Sequence, residues 1–378
     1  MKKRKFGFML SLALATGTLL AACGGGGADE QTTDENAQNN TDNNTQVEET
    51  VDFKVGMVTD VGGIDDKSFN QSAWEGLTKF GQENGLTEGE GYRYLQSTSD
   101  VDYEPNLTKF ADAGYGLTYG VGFLLENPVQ NIAAQFPESN FALIDSLLTD
   151  ENWNVVWMDN VANITFKEHQ GSFLVGVVAA KHTKTNKVGF IGGVESGLIK
   201  KFEVGFIAGL KSVNPDIEVI SQYAGDFNNA QKGTDIANTM YQQGADIIYH
   251  AAGGTGNGVF TEAKSRKKNG EDVWVIGVDR DQHEEGLPEN VTLTSMIKRV
   301  DVAVYEVSKE TMEGNFPGGQ EVVFGLEEEG VGIAPTTENV SEEALALVKD
   351  YEQKILSGEI EVPLDDAQLE TYLSGLGQ

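Results

Sequence analysis

Short apolar runs of strand length alternate with amphipathic stretches over most of this chain. The alternation opens at residues 54–59, Lys-Val-Gly-Met-Val-Thr, and halts at Asp60-Val61-Gly62-Gly63. An apolar run of that length ending in residues that extend a strand only at a cost predicts a buried strand and then a turn. A helix is expected next. Ser68 stands where an N-cap would, and Ala73, Trp74, Leu77 and Phe80 recur at helical spacing. The loop and helix start between them therefore carry Asp60, the Asp65-Asp66 pair, Phe69 and Asn70. In open α/β sheets ligands sit at the C-terminal edge of the strands, which makes this loop the first candidate site.

The same analysis predicts strands over 92–96, 117–121, 141–144 and 155–157, with helices over 104–113 and 128–136. The pattern then repeats. Lys187-Val-Gly-Phe-Ile-Gly-Gly193 is again a strand followed by a glycine turn, and Phe202, Phe206 and Leu210 follow at helical spacing. Further strands are expected over 217–223, 247–250, 273–278 and 291–296. Strand–helix alternation implies parallel sheets, and the repetition implies two similar α/β lobes facing each other across a cleft. The body from Val51 onward is longer than a typical single domain, which agrees. An apolar face near the C-terminus, Ala344, Leu345, Leu347, Val348, Tyr351, Ile355 and Leu356, suits packing on a lobe.

The first residues differ from the rest. Four basic residues within 1–5, an apolar stretch over 6–20 and then Leu20-Ala21-Ala22-Cys23 make an export signal over 1–22. The chain has one cysteine, so an intramolecular disulfide is impossible. Its position resembles the bacterial lipobox, whose cysteine is lipidated and becomes the mature N-terminus. Residues 23–50 are rich in Gly, Asn, Gln, Thr and acids, too polar to offset their ordering entropy, and are expected to form a disordered tether. The net charge is −32. That acidity repels polyanions, so nucleic acid is not expected as a partner.

Enzyme motifs fit poorly. Gly253-Gly-Thr-Gly-Asn-Gly258 and residues 120–125 do not satisfy G-x-G-x-x-G, residues 192–201 contain no Gly-Lys-Ser/Thr, and Gly193-Val-Glu-Ser-Gly197 places its serine one position late for a nucleophile elbow. His169, His182, His250 and His283 show no paired metal-ligand spacing. Asp279-Arg280-Asp281 lacks a clear acid/base partner. No catalytic residue, metal or cofactor is expected. Phe69 and Phe202, one per lobe, could sandwich a flat ring, although their spacing equally suits core packing. Asp60, Asp145 and Asp279 each end a strand and could accept hydrogen bonds from hydroxyl or ring N–H groups, or merely cap turns. Three carboxylates at one cleft would repel phosphate. The ligand that suits them is neutral, flat and hydroxyl-bearing: a nucleoside rather than a nucleotide.

Val58-Thr-Asp-Val-Gly-Gly-Ile-Asp-Asp-Lys-Ser-Phe-Asn-Gln-Ser-Ala-Trp-Glu-Gly76, with Gly189-Phe-Ile-Gly-Gly193, Lys201-Phe-Glu-Val-Gly-Phe206, Ala251-Ala-Gly-Gly-Thr-Gly256 and Gly277-Val-Asp-Arg-Asp-Gln282, resembles the basic membrane protein family of lipoproteins, in its purine nucleoside receptor A-like branch. The resemblance runs in order from about Phe53 to past Lys298. It implies a type I periplasmic-binding fold, two Rossmann-like lobes joined by a three-segment hinge, serving an ABC importer. By that resemblance Phe69 and Phe202 stack on the base, Asp60 and Asn70 meet its edge, Asp279 and Lys298 hold the ribose hydroxyls, and Asp145 and backbone near Gly254 line the pocket. Asp145-Ser146 departs from the family in lacking a second acidic residue. The first lobe is expected over 51–162 plus about 295–325 and the second over 163–294 plus about 326–378. Hinge motion is expected near 160–164, 291–296 and 324–334. The expected protein is a monomer, lipid-anchored through Cys23 on the outer face of the cell membrane. It would pass guanosine, adenosine or inosine to a permease. A sugar or furanoside receptor, and an adhesin without transport, are the alternatives.

Overall fold

The structure is a computed structural model, and it describes residues 53–376. The predicted signal, Cys23 and the tether lie outside the described residues.

In the first lobe a parallel sheet is built from β1 (Val55–Thr59), β2 (Tyr92–Gln96), β3 (Leu117–Val121), β4 (Phe141–Ile144) and β5 (Val161–Phe166). Every residue of β1, β3 and β4 is buried, as expected of strands covered on both faces by helices. Those helices are α1 (Phe69–Glu83), α2 (Tyr103–Asp112) and α3 (Glu126–Gln135). The second lobe repeats the plan. Its strands are β6 (Lys187–Gly192), β7 (Glu218–Tyr223), β8 (Ile247–Ala251), β9 (Trp274–Asp279) and β10 (Thr292–Lys298), and its helices are α4 (Glu168–His182), α5 (Gly197–Val213), α6 (Ala230–Gln242) and α7 (Asn257–Lys268). The chain returns to the first lobe with α8 (Val300–Met312) and β11 (Gln320–Phe324), then ends on the second with β12 (Val331–Ile333), α9 (Glu342–Leu356) and α10 (Asp366–Gly375).

Spatial order is β11-β5-β4-β3-β1-β2 in one sheet and β12-β10-β9-β8-β6-β7 in the other. Omitting the last-added edge strands, both sheets have one winding. It reverses direction beside the first strand of each lobe, the switch point where such folds bind ligands. All pairings are parallel except β12 with β10.

Two glycines permit close helix contact. A Cβ on Gly209 of α5 would lie 2.0 Å from the Phe173 carbonyl oxygen of α4, and one on Gly76 of α1 would lie 2.2 Å from that of Asp301 in α8. Close packing at Gly209 presses α5, with its Phe202, against the core of the second lobe. The Tyr119 hydroxyl donates to the Val304 carbonyl at 2.8 Å, fastening α8 to the first sheet.

Some expectations shift. Residues 160–164 and 291–296 fall largely within β5 and β10, where sheet hydrogen bonds hold the backbone. The chain passes between lobes just after them, at Lys167 and Arg299, and a third time over 325–330. These crossings lie side by side: the Lys167 N–H donates to Phe324 O at 2.9 Å and the Arg299 N–H to Gly330 O at 2.8 Å. Strands β5 and β10 thus run through the boundaries expected at 162/163 and 294/295. Residues 155–157 form no sheet strand; Val155 makes a single antiparallel bridge to Thr149. On α9, Ala344, Val348 and Ile355 are buried and Leu345, Leu347 and Tyr351 pack against the core, whereas Leu356 is exposed.

Candidate functional site

The loop from β1 to α1 is ordered by a carboxylate whose role the sequence did not disclose. Asp66 accepts the backbone N–H groups of Ser68 and Asn70 at 2.9 Å and of Gln71 at 3.1 Å. It thereby satisfies donors that a helix start leaves unpaired, and it places a negative charge at the positive end of the helix dipole. Ser68 sits at the N-cap position but does not cap. Its hydroxyl instead donates to Asp279 in the opposite lobe. Asp60 accepts from the Gly62 N–H and from Asn70 Nδ2, both at 2.9 Å.

This loop closes onto the second lobe. Asn228 Nδ2 donates to Val61 O at 3.0 Å, Asn257 Nδ2 to Asp66 O at 3.1 Å and Gln282 Nε2 to Lys67 O at 2.9 Å. Arg280 meets the carboxylate of Glu75 with Nε and Nη2 at 3.0 and 2.7 Å. Behind these contacts lies a narrow cleft walled by Asp60, Asp66, Phe69, Asn70, Asp145, Phe202, Asp279 and Lys298 among others.

Lys298 ends β10 and is 1% exposed. Its ammonium pairs with Asp145, lies 3.7 Å from Glu168, and sits 4.8, 5.0 and 5.6 Å from the ring centres of Phe69, Phe166 and Phe202. Burial alone would lower its pKa, but the charges of Asp145, Glu168 and Asp279 outweigh that and hold it above its ordinary value. Burial likewise dominates the carboxyls. It pushes Asp145 and Asp279 up to about 6 against the attraction of Lys298. Asp66 also rises to about 6 by burial, opposed by its three backbone donors, and Asp60 is raised for the same reason. Asp145 and Asp279 both follow or end a strand in the left-handed region, with φ of 70° and 65°. Holding a non-glycine residue there costs on the order of 1 kcal/mol, a strain typical of binding sites.

Seven of the eight ligand-site candidates from sequence thus meet at one cleft. The eighth, Gly254, is displaced: Gly253 forms the wall, and a Cβ on Gly254 would lie 3.3 Å from Asn228 Oδ1. Ser146 turns away and donates to Glu126 at 2.7 Å. Sequence reasoning placed Asp66 in the candidate loop without a role, and it missed Glu168, Phe123 and Phe227 as parts of the site. Glu168 is fully buried and opens α4, whose middle over 173–180 is apolar. Phe123 and Phe227 come from opposite lobes, line the cleft and meet edge to face at 6.1 Å. Each follows a strand and a glycine. Among the histidines, His169 and His250 are buried in the second lobe, and burial lowers the pKa of each.

Two α/β lobes of one winding, crossed three times by the chain and closed over a polar cleft at their switch points, define a two-lobe solute-binding protein. The comparisons with known proteins narrow the class. The family of PnrA-like ABC transporter substrate-binding proteins, Bmp, matches residues 53–366, and the chain belongs to it. It is 48% identical to a CD4+ T-cell-stimulating antigen of Listeria innocua, over 96% of this chain and 99% of the relative. With an ABC transporter nucleoside-binding protein, BmpA, of Lactococcus lactis it shares 41% identity over the same fractions. A crystal structure of an ABC transporter solute-binding protein from Aeropyrum pernix superposes with a TM-score of 0.74 at 29% identity, covering 86% of this chain and 97% of the other. The chain is thus a substrate-binding protein of an ABC transporter, of a class that works outside the cytoplasm, hands solute to a permease and is in general non-catalytic. No helix among the described residues is long and apolar enough to cross a membrane.

Proposed function

We propose that this protein captures nucleosides, purine nucleosides first, and delivers them to the permease of an ABC importer while tethered through a lipid on Cys23. One observation carries the reading. Two phenyl rings from opposite lobes flank a cleft whose polar walls are almost entirely hydrogen-bond acceptors, Asp60, Asn70, Asp145 and Asp279, with Lys298 as the buried cation. A base between Phe69 and Phe202 gains stacking, and ribose hydroxyls supply donors to Asp145 and Asp279. Excess negative charge disfavours a phosphorylated ligand. Backbone at Gly253 completes the wall beside the base. A solute bound to one lobe recruits the other, with the three crossings absorbing the motion, and the permease meets the closed monomer.

The test is thermal unfolding of the body from Val51 onward, stripped of copurified ligand by denaturation and dialysis. Guanosine, adenosine, inosine, cytidine, ribose and galactose are added singly. A ligand at a hundredfold excess over its dissociation constant adds about 2.7 kcal/mol, a shift of several degrees. A rise with purine nucleosides supports the reading. A rise with the free sugars alone transfers it to a sugar receptor, and no rise at all removes it. Anchoring has its own test: Cys23→Ser should abolish palmitate incorporation and release the protein from the membrane fraction.

A further inference from the structure

Asn70 is the second residue of α1, 2% exposed, and part of the cleft wall. Both hydrogens of its side-chain amide are committed, one to Asp60 Oδ1 at 2.9 Å and the other to Asp66 Oδ2 at 3.2 Å. An amide can usually be turned over to offer either its carbonyl or its NH₂. Here reversal would set the carbonyl oxygen against two carboxylates, exchanging two charge-assisted hydrogen bonds for two repulsions. Asp66 cannot swing aside to relieve this, because three backbone N–H groups of the helix start hold it. The amide is therefore locked, and the oxygen it leaves over, Oδ1, is buried without a hydrogen-bond partner in the protein. An unpaired buried acceptor is costly, so a ligand that supplies a donor there is favoured and one that places a lone pair there is rejected. Beside it, Asp60 adds a second acceptor, its Oδ1 already engaged by Gly62 and Asn70.

Resting on the nucleoside reading above, we propose that Asn70 is a one-way reader of the base, accepting and never donating, so that the cleft selects purines by their donor edge. Guanine is the best match, because its N1–H and 2-amino group are adjacent donors that can meet Asn70 and Asp60 together. Hypoxanthine keeps only N1–H. Adenine offers its 6-amino group but brings the bare N1 or N7 lone pair beside it, and that lone pair faces an acceptor. The expected order is guanosine, then inosine, then adenosine. Asp66 is a positioning residue in this scheme: it does not need to touch the base, and it fixes which end of Asn70 the base meets.

The experiment is calorimetric titration of the ligand-stripped protein at pH 7.5 with guanosine, inosine, adenosine, 1-methylguanosine and 7-deazaguanosine. Losing N1–H strands the buried acceptor, so 1-methylguanosine should bind roughly 10- to 100-fold more weakly than guanosine. Losing N7 removes only an acceptor that no donor meets, so 7-deazaguanosine should match guanosine within about threefold. The opposite pattern would mean that a donor reads N7, and it overturns the proposal, as does adenosine binding more tightly than guanosine. Equal binding of every analogue overturns it while leaving nucleoside capture intact. Failure of all nucleosides removes both readings together. Asp66→Asn supplies a second readout: with one carboxylate gone Asn70 can turn over, so the ratio of 1-methylguanosine to guanosine affinity should move toward one, a change that mere weakening of the helix start would not produce.

Discussion

The two lobes share one winding, and superimposing their roles separates what the fold repeats from what the site needs. Repeated are a phenylalanine in the helix after the first strand, Phe69 and Phe202, and an aspartate at the end of the fourth strand, Asp145 and Asp279, the aspartates each with positive φ. The departures are more informative. The first lobe enters its helix through the Asp60–Asn70 loop under an Asp66 cap, whereas the second enters α5 through Ser196, whose hydroxyl accepts the Ile199 N–H at 3.2 Å. At the end of the fifth strand the first lobe has Phe166 and the second has Lys298, whose ammonium lies 5.0 Å from that ring. Duplication thus provides a sandwich of rings and carboxylates. The unmatched residues, Asn70 in one lobe and Lys298 in the other, give it polarity.

The largest expected effect comes from removing the unmatched cation. Lys298→Met leaves Asp145 and Asp279 buried without their counter-charge and Glu168 with Lys201 alone, at 3.4 Å, a change that typically costs about 3–5 kcal/mol. Denaturant titration should show that loss, and nucleoside binding should disappear; wild-type affinity would mean that Lys298 is only structural. The matched rings come next. Phe202 is 3% exposed whereas Phe69 is half-buried. Each alanine substitution should weaken base binding by roughly 1–3 kcal/mol. Phe202→Ala should also cost about 3–5 kcal/mol of stability. Phe69→Ala should destabilise far less. Equal stability losses would contradict the asymmetry.

Acid sharpens the comparison of the matched aspartates. Asp145 and Asp279 are held at about 6 in the ligand-free fold, above their ordinary 3.8, so the folded protein binds those protons more tightly than the unfolded chain. Their contribution to stability is therefore fully present below 3.8 and is lost as pH rises through 6. Affinity should run the other way, because ribose hydroxyls need ionised acceptors. Between pH 7 and 5 the ligand-induced rise in melting temperature should shrink while this contribution to ligand-free stability grows. A pH-independent rise would exclude both aspartates as ligand acceptors. The smallest effect belongs to the rim: Arg280→Gln removes a partly exposed pair with Glu75 worth less than about 1 kcal/mol, visible as a severalfold faster nucleoside release and little else.

Fold class was legible because the two opening strands carry the same apolar run and glycine turn, and because helical spacing after each places Phe69 and Phe202 alike. Candidate residues were legible where chemistry stood at a strand end, as at Asp60, Asp145 and Asp279. Helix α4 shows why the rest was not. Its apolar residues surround it entirely, so periodicity gave no face, and Glu168 at its first position looked like an ordinary helix-start acid. Strands β11 and β12 are five and three residues long at sheet edges, and nothing local distinguishes them from loop. Asp66 was visible as an acid, but its three backbone partners exist only once the turn has formed.

The threefold crossing also governs how the molecule comes into being. The first lobe takes α8 and its edge strand β11 from residues 300–324, after the whole doubly wound part of the second lobe has been threaded through. Neither lobe is therefore a contiguous piece of chain. A ribosome or an export channel delivers a first lobe with an open sheet edge beside β5, and that edge stays uncovered until residue 324 arrives. Assembly of both lobes is thus coupled to the last quarter of the sequence, and expressing one lobe alone requires stitching distant segments together rather than truncating the chain.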